Sequence, residues 1–270
     1  MPTPMDPRML VAWKAALSSW DALLLTFVLV VVIPVVSSLR LRRLKRHTGP
    51  AVPLRTKQRL YAWTICMQWL LVGAMLWVAG RHGLSAADVG ERLGNAHLTF
   101  VATLGLLAIV AVVAGILLPR VRRARPKALA AGLGRMRKFS PAFGPEFAAF
   151  VLVCLTAGVC EELLYRGWLV NLLRAATGSV WIAVAVASVA FGIGHAYQGV
   201  LGMLRTGFVG LQLAVLFVAV DSLVPGQVLH AAVDLVSGFA MATAAARLAA
   251  AEAESGATVA SDTTGTTGEP

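Results

Sequence analysis

The stretch FAAFVLVCLTAGVCEELLYRGWLVNLL, residues 147–173, decides the fold of this chain. It is apolar enough to cross a bilayer, which takes about 20 residues of helix. Yet it holds two adjacent carboxylates, Glu161 and Glu162, and the cation Arg166. Ionisable groups at membrane depth are costly and rare, and each is by default a hypothesis of a functional site. The stretch therefore predicts a membrane helix that carries a reactive centre.

The composition extends this interpretation to the whole chain. Hydrophobic residues make up 58% of it and charged residues only 14%. We predict an all-α fold, a polytopic transmembrane helical bundle of about seven to eight membrane helices. The predicted spans are residues 22–38, 60–80, 98–118, 147–173, 180–197, 201–220 and 224–250.

The positive charge of the chain has a topological explanation. The net charge is +11, and Lys and Arg cluster in two short loops at residues 40–59 and 120–138. The positive-inside rule accounts for this pattern better than nucleic-acid binding does. It predicts an integral, multi-pass protein of the cell membrane, with both basic loops cytoplasmic, the lipid bilayer as partner and no nucleic acid.

Four segments follow from this reading. Residues 1–21 form an N-terminal segment that could lie along the interface, and residues 22–145 form membrane helices joined by the basic loops. Residues 146–250 form the membrane core that carries the polar groups. Residues 251–270 lack anything to bury and are expected to be disordered. Seven tryptophans mostly fall near predicted span ends, where they would act as interfacial anchors: Trp13, Trp20, Trp63, Trp69, Trp77, Trp168 and Trp181.

The two adjacent glutamates need different partners. Successive helical residues point about 100° apart, so Glu161 and Glu162 cannot face the same way. Arg166 lies four residues after Glu162, the spacing of an ion pair within a helix. Tyr165 stands in the same relation to Glu161, and its hydroxyl could hold that carboxylate without neutralising it. We therefore predict a structural Glu162–Arg166 pair and a free Glu161 that faces a cavity.

Two later segments repeat this four-residue spacing. Phe191 and His195 share one helical face, and His230 and Asp234 share another. If these helices face the glutamates, two carboxylates and two imidazoles converge on one place. Such a set of groups can activate water.

The depths of these groups do not all agree. Counting about 1.5 Å per helical residue, Glu161 and His195 both lie roughly 20 to 25 Å from the outer connections. By the same rise, His230 lies only about 9 Å and Asp234 about 15 Å from the connection near Val224. Either that connection dips into the bundle at Pro225 or the span limits are displaced.

The order of these motifs on successive membrane segments resembles the CPBP family of intramembrane proteases. The family includes the CAAX prenyl endopeptidase and bacterial relatives, the Abi proteins, linked to bacteriocin maturation and immunity. The resemblance rests on three patterns: Glu-Glu-x-x-x-Arg (Glu161, Glu162, Arg166), Phe-x-x-x-His (Phe191, His195) and His-x-x-x-Asp (His230, Asp234).

The resemblance implies a membrane-embedded peptidase with a peptide or membrane-protein substrate. Glu161 would activate water with help from His195, while His230 and residue 234 would stabilise the oxyanion. Glu162, Arg166, Tyr165 and Phe191 would support them. The family usually has Asn at the last position, and an ionised Asp234 would repel an oxyanion. Asp234 is therefore protonated, or orients His230, or helps to bind a cation.

The cofactor stays open at this point. Glu161, His195 and His230 would suit a catalytic zinc with an open fourth position, as in a metalloprotease. No His-Glu-x-x-His helix is present, and the three ligands have no obvious supporting residues. These two observations favour a glutamate-type, metal-independent mechanism.

Two other functions use the same residues. A catalytically silent immunity or scaffolding protein could bind a partner through the polar cluster. A proton-coupled transporter could use intramembrane carboxylates and histidines as a relay, although the repeated halves and broken helices common in transporters are not evident. An intramembrane endopeptidase is the function that we expect.

Overall fold

The computed structural model describes residues 5–45 and 52–264, and these residues form helices without strands. Two of the helical segments have π-helical geometry, Val28–Val32 and Leu163–Val170, and each connects two α-helices. The helices are α1 Pro7–Leu17, α2 Trp20–Phe27, α3 Ile33–Lys45, α4 Leu54–Arg81, α5 Ala96–Arg123, α6 Pro126–Leu133, α7 Pro145–Glu162, α8 Asn171–Thr177, α9 Val180–Gly194, α10 Val200–Val220 and α11 Val224–Thr264.

The predicted helical membrane bundle is confirmed. Among the described residues, six helical stretches are long and apolar enough to cross a membrane. The predicted span at 180–197 is shorter than expected, because α9 ends at Gly194 after 15 residues. At about 1.5 Å per residue it reaches about 22 Å, less than the roughly 30 Å of a bilayer core. The chain turns at His195–Gly199 and returns as α10.

The helices around residues 145–177 form the centre of the bundle. In the most apolar window of this stretch 44% of the residues are buried, whereas none is buried in the corresponding window of α5. On one side α7 packs against α4 and on the other against α11. The stretch that carries Glu161, Glu162 and Arg166 is thus the most buried of the six candidate membrane spans.

Helices α4 and α7 run side by side in the same direction. Near their first turns, the buried Lys57 Nζ lies 2.8 Å from Glu146 Oε1 and 2.7 Å from the Ser140 carbonyl oxygen. One turn further along, the rings of Tyr61 and Phe150 stack edge to face. These contacts fix the register of α4 against α7 on the N-terminal side of the two glutamates.

Two tryptophans contradict the expectation of interfacial anchoring. Trp13 and Trp168 are fully buried, and their ring centroids lie 5.3 Å apart. They pack α1 onto the centre of the bundle instead of facing the interface. The remaining five are exposed, as anchoring requires: Trp20, Trp63, Trp69, Trp77 and Trp181.

The connection between α10 and α11 lies beneath the loop that follows α4. Ser222 Oγ donates to the Arg92 carbonyl at 2.6 Å, and Leu223 N donates to the Gly90 carbonyl at 3.1 Å. Gly90 has a φ of +96°, and a Cβ atom there would lie 2.6 Å from the Phe217 ring. Ser222 and Leu223 are buried beneath this loop, where the first turn of α11 begins. Their burial agrees with a connection that dips into the bundle, and the depth of His230 in the membrane stays a prediction.

The last helix runs further than the sequence suggested. α11 continues through Thr264, into the segment 251–270 for which we expected disorder. Residues 249–254, Ala and Glu alone, have a high helix propensity, which favours continuation of the helix past residue 250. Residues 265–270 lie outside the described residues.

Candidate active site

The two glutamates occupy the last turn of α7, directly before the wider π-helical turns of Leu163–Val170. Such π segments inside α-helices are frequent at functional sites, because they re-aim side chains without breaking the helix. Here the segment is fully buried. It brings Tyr165 and Arg166 against α9 and α10.

Glu162 is the more enclosed carboxylate and contacts two groups. Its Oε1 accepts a hydrogen bond from Arg166 Nη1 at 2.9 Å, which is the ion pair that the spacing predicts. The same oxygen lies 2.9 Å from His230 Nδ1. Arg166 also donates from Nη2 to the Gly210 carbonyl at 3.1 Å. Glu162 thus links Arg166 to His230, a contact that the sequence analysis did not foresee.

Glu161 points to the other side and meets both imidazoles. Its Oε2 lies 3.9 Å from His195 Nε2 and 3.9 Å from His230 Nε2. Within the described part of the chain this oxygen is buried and has no hydrogen-bond partner. The other oxygen, Oε1, accepts a hydrogen bond from Gln68 Nε2 at 2.7 Å. Gln68 therefore takes the place that the spacing suggested for the Tyr165 hydroxyl.

The His195 ring is held in one orientation. His195 follows the last residue of α9, and its Nδ1 lies 2.9 Å from the Phe191 carbonyl oxygen. A carbonyl oxygen only accepts hydrogen bonds, so Nδ1 carries the proton. In the neutral ring, Nε2 is then an acceptor that faces Glu161.

Phe191 forms the apolar wall of the site. Its ring lies 4.7 Å from the His195 ring and 5.0 Å from the Tyr165 ring, between centroids. The Arg166 guanidinium carbon lies 4.3 Å from its centroid, within the range of a cation–π contact. Phe191 is 2% exposed. It contacts the Arg166 guanidinium as well as the His195 ring.

Asp234 stands at the open edge of the site. Its side chain is 41% exposed, and Oδ2 lies 3.7 Å from His230 Nε2. Glu162 holds the other ring nitrogen, Nδ1. Asp234 therefore lies beside the imidazole nitrogen that faces Glu161.

A glycine allows α7 and α11 to approach closely at this level. A Cβ atom at Gly158 would lie 2.7 Å from the Gln227 carbonyl oxygen and 3.0 Å from the Ala231 nitrogen. Both are backbone atoms that could not move aside. The short distance between the two helices brings His230 within reach of the glutamates.

The site contains donors of the kinds that zinc prefers, but their spacing is wide. Tetrahedral zinc ligands at about 2.0 to 2.1 Å stand about 3.4 Å apart, whereas each imidazole nitrogen lies 3.9 Å from Glu161 Oε2. In the described residues no group of three or more His, Cys, Asp or Glu side chains has metal-binding geometry. Both histidines do have the second hydrogen bond that ligand histidines usually make. If bound, a zinc would be held by Glu161, His195 and His230 and would make its water more acidic.

Gln68 is the site residue that the sequence analysis missed. It lies on α4, 93 residues from Glu161. A signal for it exists, because the buried residues Lys57, Tyr61, Leu71 and Met75 recur on one face of α4. Gln68 falls in this stripe at the same three- and four-residue spacing. An amide in the buried stripe of a membrane helix calls for a partner.

Fold and site together define a helical membrane protein with a buried glutamate and two histidines in one site. Comparison with protein families finds a match for part of the chain. Residues 143–236 match the family described as Type II CAAX prenyl endopeptidase Rce1-like, which confirms the resemblance inferred from the motifs. The match supports a membrane protease in general. Searches of the curated proteins and of the solved structures gave no match.

Proposed function

We propose that this protein is an intramembrane endopeptidase that hydrolyses a peptide bond with water activated by Glu161 and His195. The observation that carries the proposal is the position of Glu161 Oε2, which lies 3.9 Å from each imidazole Nε2. The family match at residues 143–236 supports the same class of activity.

The geometry of Glu161 and His195 suits the activation of water. Glu161 Oε2 and the unprotonated Nε2 of His195 are both acceptors, and two acceptors do not bond each other. A water molecule between them would donate one O–H to each, at the usual hydrogen-bond lengths. Its oxygen would then turn its lone pairs toward the substrate carbonyl carbon.

Glu161 and His195 can account for the proton transfers that peptide-bond hydrolysis needs. As the water oxygen bonds the carbonyl carbon, its proton passes to Glu161 or His195, and the carbonyl oxygen becomes an oxyanion. When the tetrahedral intermediate breaks its C–N bond, the same proton goes to the leaving amine. The products are a carboxylic acid and a free amine.

His230 is placed to stabilise the oxyanion. Its Nδ1 is held by Glu162 at 2.9 Å, so the ring cannot turn away. When the ring is protonated, Nε2–H is a donor directed at the space beside Glu161. Donors fixed in advance near a developing negative charge are among the largest contributions to catalysis.

Asp234→Asn is expected to raise the rate of cleavage at neutral pH by about tenfold, since fixed amide donors stabilise an oxyanion whereas an ionised carboxylate repels it. The exposed position of Asp234, 3.7 Å from His230 Nε2, motivates the expectation. The measurement is kcat against pH for both proteins. A slower Asp234→Asn variant would instead assign Asp234 a role that needs its carboxyl group.

The requirement for a metal is open to a direct experiment. We expect purified protein in proteoliposomes to cleave members of a panel of quenched fluorescent peptides, with and without a prenyl group on a cysteine. Because we propose a metal-independent mechanism, in line with donors spaced more widely than tetrahedral zinc ligands, a chelator should leave the rate unchanged. Elemental analysis of the same sample completes the test. A stoichiometric zinc whose removal abolishes cleavage would refute the metal-independent mechanism.

The substrate that we propose is a peptide or membrane protein presented within the bilayer. The prenyl peptides in the panel follow from the description of the matched family and test whether this chain shares that preference. We also propose that the basic loops face the cytoplasm, from the positive-inside pattern of the sequence.

A further inference from the structure

The site includes a residue from outside the segment that matches the protease family. Gln68 lies on α4, whereas the family match covers residues 143–236. Its Nε2 donates to Glu161 Oε1 at 2.7 Å. The motifs described above all lie on α7 and the helices after it, so nothing assigned so far gives α4 a part in the chemistry.

We propose that Gln68 is a positioning residue that holds the Glu161 carboxylate so that Oε2 faces His195 and His230. This inference rests on the proposed function and deepens it. A carboxylate has two equivalent oxygens, and without a fixed partner it can rotate. A donor on Oε1 leaves only Oε2 for the two imidazoles.

Burial strengthens the contact. Gln68 Oε1 and Glu161 Oε2 are both buried without a hydrogen-bond partner among the described residues. A hydrogen bond to an ionised group in such surroundings is stronger than a neutral one. Breaking it would leave the Oε1 atom of a largely buried carboxylate without its hydrogen-bond donor.

The position of α4 is itself fixed by contacts away from the site. The Lys57–Glu146 ion pair and the Tyr61–Phe150 ring contact clamp α4 against α7 nearer their first turns. A substitution at Gln68 should therefore remove the amide while α4 stays packed against α7. The effect of the amide on Glu161 can thus be measured apart from the effect of helix packing.

The chain offers a matched control on the same helix. Gln58 is an exposed residue of α4, ten residues before Gln68. At about 1.5 Å per residue, it lies about 15 Å further along the helix. Gln58→Leu makes the same substitution on α4 without removing the donor to Glu161.

Gln68→Leu is expected to lower kcat by about 10- to 100-fold, the usual loss when a group supporting a catalytic residue is removed. KM should stay unchanged, because Gln68 contacts Glu161 and not the substrate. Gln58→Leu should keep the wild-type kcat. The assay uses wild-type and variant proteoliposomes with the quenched peptide that the wild type cleaves fastest.

The Gln68→Glu variant tests the pH dependence of cleavage, which should not change if Gln68 has only a structural role. The introduced carboxyl donates to Glu161 only while it is protonated, and two adjacent carboxylates share one proton at low pH. We expect this variant to cleave at acidic pH and to lose activity as the pH rises, over a range in which the wild type stays active.

Two results would overturn the inference. One is a Gln68→Leu protein with wild-type kcat and a Gln68→Glu protein with the wild-type pH profile. The other is a loss of thermal stability in both variants that fully accounts for the lost activity. Failure of the proposed function can be distinguished from failure of this inference, because in that case the Glu161→Gln variant would cleave at the wild-type rate.

Discussion

Glu161→Gln is expected to lower kcat by about 10²- to 10⁴-fold, the contribution of a positioned general base. The amide keeps the size of the side chain but cannot take a proton from water. The Glu161 side chain is 17% exposed, and within residues 5–45 and 52–264 no Lys or Arg forms an ion pair with it. The variant should therefore fold and should melt within a few degrees of the wild type.

The control for this variant is Glu91→Gln. Glu91 is an exposed carboxylate that accepts its hydrogen bond from Gln227, so the same substitution there removes a charge without changing the carboxylate that faces the imidazoles. Glu91→Gln should cleave at the wild-type rate. Should Glu161→Gln keep full activity, the chemistry must run through another residue. Should it keep a cellular phenotype without cleavage, a silent binding protein would be the better explanation.

Arg166→Met is expected to reduce the free energy of unfolding by about 3 to 5 kcal/mol, the usual cost of breaking a buried ion pair from one side. Arg166 is 1% exposed and Glu162 is also 1% exposed. Removing the guanidinium leaves the Glu162 carboxylate unneutralised and the Gly210 carbonyl without its donor. Chemical unfolding in detergent micelles measures the loss.

An exposed pair provides the comparison. Arg92 contacts Asp221 at 2.5 Å, but their side chains are 32% and 51% exposed. Surface ion pairs contribute about 0 to 1 kcal/mol, so Arg92→Met should change stability little. A similar loss in both variants would mean that burial of the Glu162–Arg166 pair is not the cause.

The double variant Glu162→Leu with Arg166→Met separates stability from catalysis. Replacing both members of a buried ion pair by apolar residues often restores stability, so most of the loss should be recovered. Activity should not return, because His230 Nδ1 loses the carboxylate that orients it. We expect kcat to stay about 10- to 100-fold below the wild type. Full activity in a stable double variant would show that Glu162 does not orient His230.

The parts of the site that could be predicted from sequence are those governed by helical periodicity. The Glu162–Arg166 contact lies within one helix, and its four-residue spacing was enough to foresee it. The polar groups of α9 and α11 could be ranked as candidates because charges and imidazoles are rare in membrane spans. The number of spans followed from hydrophobic length in the same way, apart from the short α9.

The parts that could not be predicted depend on contacts between distant segments. The Gln68 hydrogen bond joins two helices, and an uncharged amide in a membrane span attracts less notice than a carboxylate. The depth of His230 depends on how the loop after α4 folds over Leu223, which spacing within α11 cannot reveal. The burial of Trp13 likewise depends on α1 meeting Trp168.

The convergence of Glu161 with the two imidazoles can be measured directly by an experimental structure of the protein in lipid nanodiscs. We expect Glu161 Oε2 to lie about as far from His195 Nε2 and from His230 Nε2 as the 3.9 Å found here, with the Gln68 amide on the other carboxylate oxygen. A structure in which either ring faces the acyl chains, or in which the three groups occupy separate pockets, would contradict the proposed hydrolytic site.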